Sequence, residues 1–329
     1  MPYKDIRYYL STILLKIKAT GYSIYYSNKY KKYFEQLWLK YFKDKNIPIN
    51  ASFDWHYYAL SYYKHPDEFK RLYHFDNEMI PMCRKDFNPV FYNPINPAQY
   101  GLISFNHYLF HKDNESLIKA SKMYQALLDK ATIKDQTIWF PYNIDYPKFN
   151  LKAPWYAGIT QAQILSLQLR IYSKAPTNDL KNQIEQVFNS LVLPVEEGGF
   201  LCRTEDGYVW LEEYPHVNKS FVLNGNMFCI ISLMEYQFSF PDNNINKLIY
   251  QLTEGLLRSL YKYKRGNYWR YSLKNHTLSN IEYQGLYVYL FKHLWILTNN
   301  ESFKILYEQG NKNMNWKAFY RFFGLMKRS

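Results

Sequence analysis

Apolar residues recur at helical spacing in segment after segment of this chain: 5–18, 27–42, 98–111, 116–131, 159–173, 178–191, 221–236, 244–263, 283–297, and 301–307 onward. A period near 3.6 commits each segment to a helix with one face turned inward. Helix-start residues support the boundaries, with Asn114-Glu-Ser ahead of Leu117 and Thr177-Asn-Asp ahead of Leu180. The helices therefore follow one another in pairs. Between the pairs lie short stretches of strand or turn character at 137–142, 198–203, 208–214 and 267–273, and Asp206-Gly207 forms the turn of a β-hairpin. The expected fold is mainly α: an α/α toroid or partial (α/α) barrel of paired antiparallel helices, with short β-hairpins at one rim and a concave mouth suited to a chain-like substrate.

With 329 residues the chain has room for one large domain or two ordinary ones. The clearest break is the Pro- and Asn-rich stretch 88–97, where Pro89, Pro94 and Pro97 interrupt a helix. We expect a small, mainly helical N-terminal region, 1–87, and an α/α-barrel domain, 88–329. No run approaches the roughly 18 apolar residues of a membrane span. Cys83, Cys202 and Cys229 are odd in number and far apart, arguing against a disulfide framework and a Cys-based zinc site. The apolar run 8–15, between Arg7 and Lys16, lacks a small-residue cleavage site and reads as no secretory signal. It reads as a helix packed on the domain, or as an amphipathic helix for a membrane surface. The expected location is cytoplasmic, with peripheral association at the inner face of the membrane left open.

The net charge of +13 calls for a polyanionic partner, and local clusters stand at 29–32, 262–265 and 327–328. No helix-turn-helix, zinc finger or RNA-binding signature accompanies the charge, so nucleic acid is not expected. His107 and His111 have a metal-compatible spacing, but no third ligand joins them in a motif and no metal site is assigned.

From Phe91 onward four ordered segments resemble the glucuronyl C5-epimerase family. Phe91-Tyr-Asn-Pro-Ile-Asn-Pro-Ala-Gln-Tyr100-Gly-Leu is similar to its Tyr-Pro-Ile-x-x-Ala-Gln-Tyr-Gly-Leu. Trp155-Tyr-Ala-Gly-Ile-Thr-Gln161-Ala-Gln163 is similar to a Trp-Tyr-Ser-Gly helix start, with Leu169-Arg170 following in place. Trp210-Leu-Glu212-Glu213-Tyr214-Pro and Ser220-Phe-Val-Leu-Asn224-Gly225 make the strongest match, and Glu282-Tyr283 resembles a C-terminal Asp-Tyr-His. The resemblance covers about two thirds of the chain. It implies an isomerase that converts D-glucuronate to L-iduronate within heparosan-type acidic polysaccharide, as in glycosaminoglycan or capsule biosynthesis.

Such inversion needs a base on one face of C5, an acid on the other, and stabilisation of the charge formed between. No hydride acceptor is needed, which agrees with the missing dinucleotide fingerprint. The expected cofactor is none and no nicotinamide, with a structural calcium left open. The expected partner is a glucuronate-containing polysaccharide, and homodimer formation is compatible with the sequence. By the resemblance, Tyr214, Tyr283 and Glu213 take the catalytic positions, Tyr283 on one face and Glu213 with Tyr214 on the other; Glu213 also has a reading as a capping or ion-paired carboxylate. Tyr271-Ser-Leu-Lys274 is similar to Tyr-Asp-Leu-Arg, which puts Lys274 where Arg stands and leaves Arg270 to compensate. Arg170 either grips the substrate carboxylate or serves its own helix end. Asn224, Gln161 and Gln163 bind either sugar hydroxyls or buried backbone. Tyr100 and Glu212 complete the substrate-binding set from the matched motifs, and Gly225 reads as a close-packing position.

The sequence departs from the family after Tyr283, where Gln284, Gly285, Leu286 and Tyr287 stand in place of His-x-x-His. The pattern thus carries the reaction class further than the polymer. Two alternatives remain at this point: a polyuronate lyase on the same fold, and a non-catalytic acidic-polysaccharide-binding protein.

Overall fold

The computed structural model describes residues 66–87, 89–215, 219–274, 278–279 and 281–313. The helices expected at 5–18 and 27–42, most of the N-terminal region 1–87, and the clusters at 29–32 and 327–328 lie outside the described residues.

Helix α1 (Pro66–Leu72) and the hairpin β1 (Tyr73–Phe75)/β2 (Pro81–Arg84) lead into eight helices in four consecutive pairs: α2 (Ile95–His111) with α3 (Asn114–Leu128), α4 (Gly158–Tyr172) with α5 (Asn178–Val192), α6 (Leu223–Ser239) with α7 (Asn243–Tyr263), and α8 (Ile281–Thr298) with α9 (Glu301–Asn313). The first member of each pair packs on the first member of the next, α2 on α4, α4 on α6 and α6 on α8, and each second member covers its own partner from outside. This is the arc of an α/α barrel. Burial divides the layers as this demands: α4 is buried from Gly158 to Ile171 and α6 from Leu223 to Tyr236. The outer α5 and α7 bury one stripe each, such as Ile184, Val187 and Leu191, or Ile249, Leu252, Leu256 and Leu260. Each buried Leu or Phe contributes roughly 1.5–3 kcal/mol, so the arc rests on the inner layer.

Three further hairpins stand between pairs: β3 (Thr132–Lys134) with β4 (Thr137–Trp139), β5 (Leu201–Arg203) with β6 (Val209–Leu211), and β7 (Lys264–Arg265) with β8 (Tyr268–Trp269). Each follows an outer helix and precedes an inner one, so all three sit at the rim where inner helices begin. An amide side chain at the fourth position of α4, α6 and α8 pins the hairpin before it, and in α2 the second-position Asn96 Nδ2 donates to Met82 O of β2. In α4, Gln161 Oε1 accepts from Phe140 N (3.1 Å) and Nε2 donates to Ile138 O (2.8 Å). In α6, Asn226 Nδ2 donates to Leu211 O at 3.4 Å. In α8, Gln284 Oε1 accepts from Trp269 N (2.9 Å) and Nε2 donates to Trp269 O (2.7 Å).

Thr177 caps α5 as expected, accepting from Leu180 N. The cap of α3 is Asp113, one residue earlier than the sequence signal, because its carboxylate accepts from Glu115 N. Pro94 caps α2 and Pro97 lies inside its first turn, where a missing N–H costs nothing. Residues of 66–87 pack on the barrel: Phe69 stacks on Tyr73 at 3.9 Å and meets Tyr100 at 5.4 Å, in a small core shared with Ile103 and Met123. No helix among the described residues is long and apolar enough to cross a membrane.

Arg170 is fully buried and forms a bidentate pair with Glu235 of α6, at 2.7 and 2.9 Å, while also donating to Ser166 O. It clamps two inner helices and is not turned toward a substrate. Arg170→Ala should destabilise the fold by about 3–5 kcal/mol, because Glu235 is left as a buried unpaired charge. Denaturant unfolding checks this, with Arg170→Met/Glu235→Leu expected to recover most of the loss.

Candidate active site

The segment after β6 delivers two adjacent carboxylates to the barrel rim. Glu212 N donates to Phe200 O (2.8 Å), continuing the hairpin, and Glu213 O accepts from Gly158 N at the start of α4 (2.9 Å). The approach is close enough to require glycine: a Cβ on Gly158 would stand 2.3 Å from Glu212 O. A Cβ on Gly225, third residue of α6, would stand 2.4 Å from Glu213 Oε2. Gly225 thus makes room for a carboxylate, where the sequence suggested helix packing. The equivalent third positions of α4 and α8 are Thr160 and Tyr283.

The two carboxylates are used differently. Glu212 is fully buried, and both its oxygens are taken, Oε2 by Ser220 Oγ and Oε1 by Phe221 N, each at 2.8 Å. Phe221 has φ of 48°, a left-handed conformation costly for an aromatic residue, and its carbonyl accepts from Tyr263 OH at 2.6 Å. Glu212 therefore anchors this turn and, fully buried, is closed to a sugar, a correction to its placement in the substrate-binding set. Glu213 Oε1 accepts from Tyr271 OH (3.3 Å), while its buried Oε2 has no hydrogen-bond partner among the described residues. Burial pushes the Glu213 carboxyl up to about 7, against the pull of the Tyr214 and Tyr271 hydroxyls.

Tyr214 and Tyr271 gather on Glu213, and Tyr283 packs on Tyr271. Tyr214 OH lies 3.4 Å from Tyr271 OH, and the Tyr271 ring meets the Tyr283 ring edge-on at 5.3 Å. Burial, then the Glu213 charge, raises the Tyr214 and Tyr271 hydroxyls well above the usual phenol range. Both stay protonated donors beside a carboxyl that changes charge near neutrality. The structure thus brings Glu213, Tyr214, Tyr271 and Tyr283 together from three segments, and ties Tyr271, read from sequence as a substrate contact, directly to Glu213.

An aromatic wall encloses this group. The Tyr214 ring is met by Phe149 at 4.3 Å, by Tyr146 at 5.6 Å and by Trp155 at 5.9 Å. Tyr146 and Phe149 flank a short 3-10 turn, Pro147–Phe149, that also carries Lys148. The sequence reading missed Tyr146, Lys148 and Phe149, because so short a loop has neither periodicity nor a motif.

Other nominated residues lie as follows. Asn224 is buried in the first turn of α6 and Gln163 in α4, and among the described residues neither Asn224 Oδ1 nor Gln163 Oε1 has a hydrogen-bond partner. Gln161 is fully buried and spent on the β4 clamp and Ser190, and Tyr100 belongs to the small core with Phe69; neither faces the Glu213 group, a correction to their substrate-binding assignment. Arg270 is half-buried and Lys274 exposed beyond β8. Gln284 holds β8, and Tyr287 OH lies 2.8 Å from Ser279 Oγ, so both departures from the family pattern have structural work.

Two outcomes follow from this geometry. Gly225→Ala should displace Glu213 and lower stability by about 1–3 kcal/mol through overpacking, which denaturant unfolding measures. Because Glu212 and Glu213 are both raised to about 7 from 4.5, their contribution to stability is present at low pH and is lost as pH rises through 7. The melting temperature should fall between about pH 4.5 and pH 7 and level off above, and Glu213→Gln should flatten that fall.

Residues 134–312, more than half of the chain, match the D-glucuronyl C5-epimerase C-terminus family. The chain is similar to the uncharacterized protein MJ1128 of Methanocaldococcus jannaschii, 27% identical over 194 residues, which cover 56% of this chain and 62% of that protein. The chain thus spans less than two thirds of that relative's length. Among solved structures it is similar to a sugar epimerase from a ruminal bacterium, with a TM-score of 0.56 and 11% identity over 90% of this chain and 74% of that one. It is also similar to cellobiose 2-epimerase from Bacillus thermoamylovorans B4167, with a TM-score of 0.54 and 12% identity over 88% and 74%. At these identities the likeness shows a shared α/α-barrel fold. With the match covering more than half of its length, the chain belongs to the D-glucuronyl C5-epimerase C-terminus family, a family of carbohydrate epimerases.

Proposed function

We propose that the protein is a cofactor-independent isomerase that inverts C5 of D-glucuronate residues to L-iduronate within an acidic polysaccharide. The observation that carries this reading is Glu213, buried and titrating near neutrality, held by Tyr271 beside Tyr214 with Tyr283 against them. The net charge of +13 suits a polyanionic substrate.

The C5 hydrogen is acidic because the neighbouring carboxylate can take up the electron pair. On one face Glu213, with Tyr214 and Tyr271 as hydroxyl donors, accepts the C5 proton. The pair moves into the C5–C6 bond and charge collects on the carboxylate oxygens. Tyr283 then returns a proton to C5 from the other face, and the reverse reaction exchanges the roles. Tyr214 and Tyr271, held well above the usual phenol range, stay protonated at neutral pH and so donate to the developing oxyanion. The carboxyl near 7 is the group suited to gain and lose a proton at neutral pH.

Incubation with heparosan in deuterated water tests the reading. The expected result is deuterium at C5 and new iduronate without ultraviolet absorbance. A 4,5-unsaturated product with chain cleavage would make the protein a lyase, and polymer binding with no exchange would make it a binder. Tyr283→Phe should lower exchange at least about 100-fold while leaving binding intact. Because ionised Glu213 is the base, kcat/KM should rise with pH through an inflection near 7, and Glu213→Gln should abolish both the inflection and the exchange.

A further inference from the structure

We infer that Lys148 binds the carboxylate of the uronate whose C5 reacts. It takes this role only if the site handles a uronate as proposed above. The reaction places extra negative charge on that carboxylate, so a cation must stand beside the Glu213 group. Of the cations nominated by the sequence, Arg170 is locked to Glu235 in the core, Arg270 is half-buried beside β8, and Lys274 lies farther along the same segment with its backbone tied to Ser220. Lys148 stands in the right place. Its Nζ lies 5.2 Å from the centre of the Tyr271 ring, whose hydroxyl donates to Glu213, and 5.5 Å from that of Phe149, which packs on Tyr214.

Its position is built into the loop. Phe149 on one side is buried, and Tyr146 on the other touches Tyr214 and is paired with Leu151 across the turn. The nearby Asp145 is occupied by Lys152, at 2.6 Å, and accepts from Ala153 N as well. Among the described residues no carboxylate lies within ion-pair distance of Lys148. Its ammonium is exposed and held over an aromatic face, ready to exchange that contact for a substrate anion. The Lys148 charge also reaches Glu213, where it favours the ionised form required of a base.

The test compares Lys148→Met, Lys148→Gln and Lys148→Arg with Lys152→Met, measuring C5 exchange on heparosan together with melting temperature. The side chain is exposed, so all four should melt near the wild type. Lys148→Met and Lys148→Gln should lose about 100-fold in exchange, chiefly in kcat, because the charge it meets is largest in the intermediate. Lys148→Arg should retain most of the rate, and Lys152→Met should behave as wild type. Wild-type exchange by Lys148→Met, or a loss confined to KM, would overturn the assignment and leave the epimerase reading standing. A wild-type protein that exchanges nothing would sink that reading instead.

Discussion

The segment carrying Glu212 and Glu213 is wedged between the first turns of α4 and α6, and the candidate site depends on that fit. Backbone and side chain approach the two helices so closely that Gly158 and Gly225 are the residues compatible with them. Burying two neighbouring carboxylates is expensive unless their oxygens find donors. Glu212 offsets part of its cost through Ser220 and Phe221, which fixes the left-handed turn leading into α6. Among the described residues Glu213 has a hydrogen-bond partner on one oxygen only, so the same segment holds one carboxyl tied on both oxygens and one tied on a single oxygen.

The barrel makes such placement reproducible along the chain. Because α4, α6 and α8 are buried along most of their length, their starts cannot shift without disturbing the core, and each of the three holds the preceding hairpin through a fourth-position amide: Gln161, Asn226 or Gln284. A hairpin fixed to a rigid helix presents its residues with little freedom, as proton transfer over hydrogen-bond distances requires. The bidentate Arg170–Glu235 pair ties α4 to α6 farther along the same helices. Polar side chains that resemble substrate ligands in the sequence therefore prove to be the framework that keeps the rim in register.

Electrostatically the site is a carboxyl among phenols inside an aromatic wall, with a cation at its edge. Each group alters the others: burial raises Glu213 toward neutrality, the Glu213 charge keeps Tyr214 and Tyr271 protonated, and Lys148 works in the opposite sense on Glu213. Gln284 and Tyr287, standing where the family carries imidazoles, make hydrogen bonds to β8 and Ser279. They stabilise the frame around Tyr283 and bring no ionisable group with a neutral range to it.

The amino-acid sequence alone determined the helical pairs, the hairpin at Asp206-Gly207 and the short set containing Glu213, Tyr214, Tyr271 and Tyr283. Helical period and turn chemistry act between residues a few positions apart, and the matched motifs are likewise continuous. Tertiary structure alone decided which polar residues are framework and which face the site. Arg170 meets Glu235 across 65 positions, and Tyr271 reaches Glu213 across 58. No local pattern encodes such meetings. Lys148 is the extreme case: one lysine among many in sequence, it becomes significant only because Tyr146 and Phe149 anchor its turn against Tyr214.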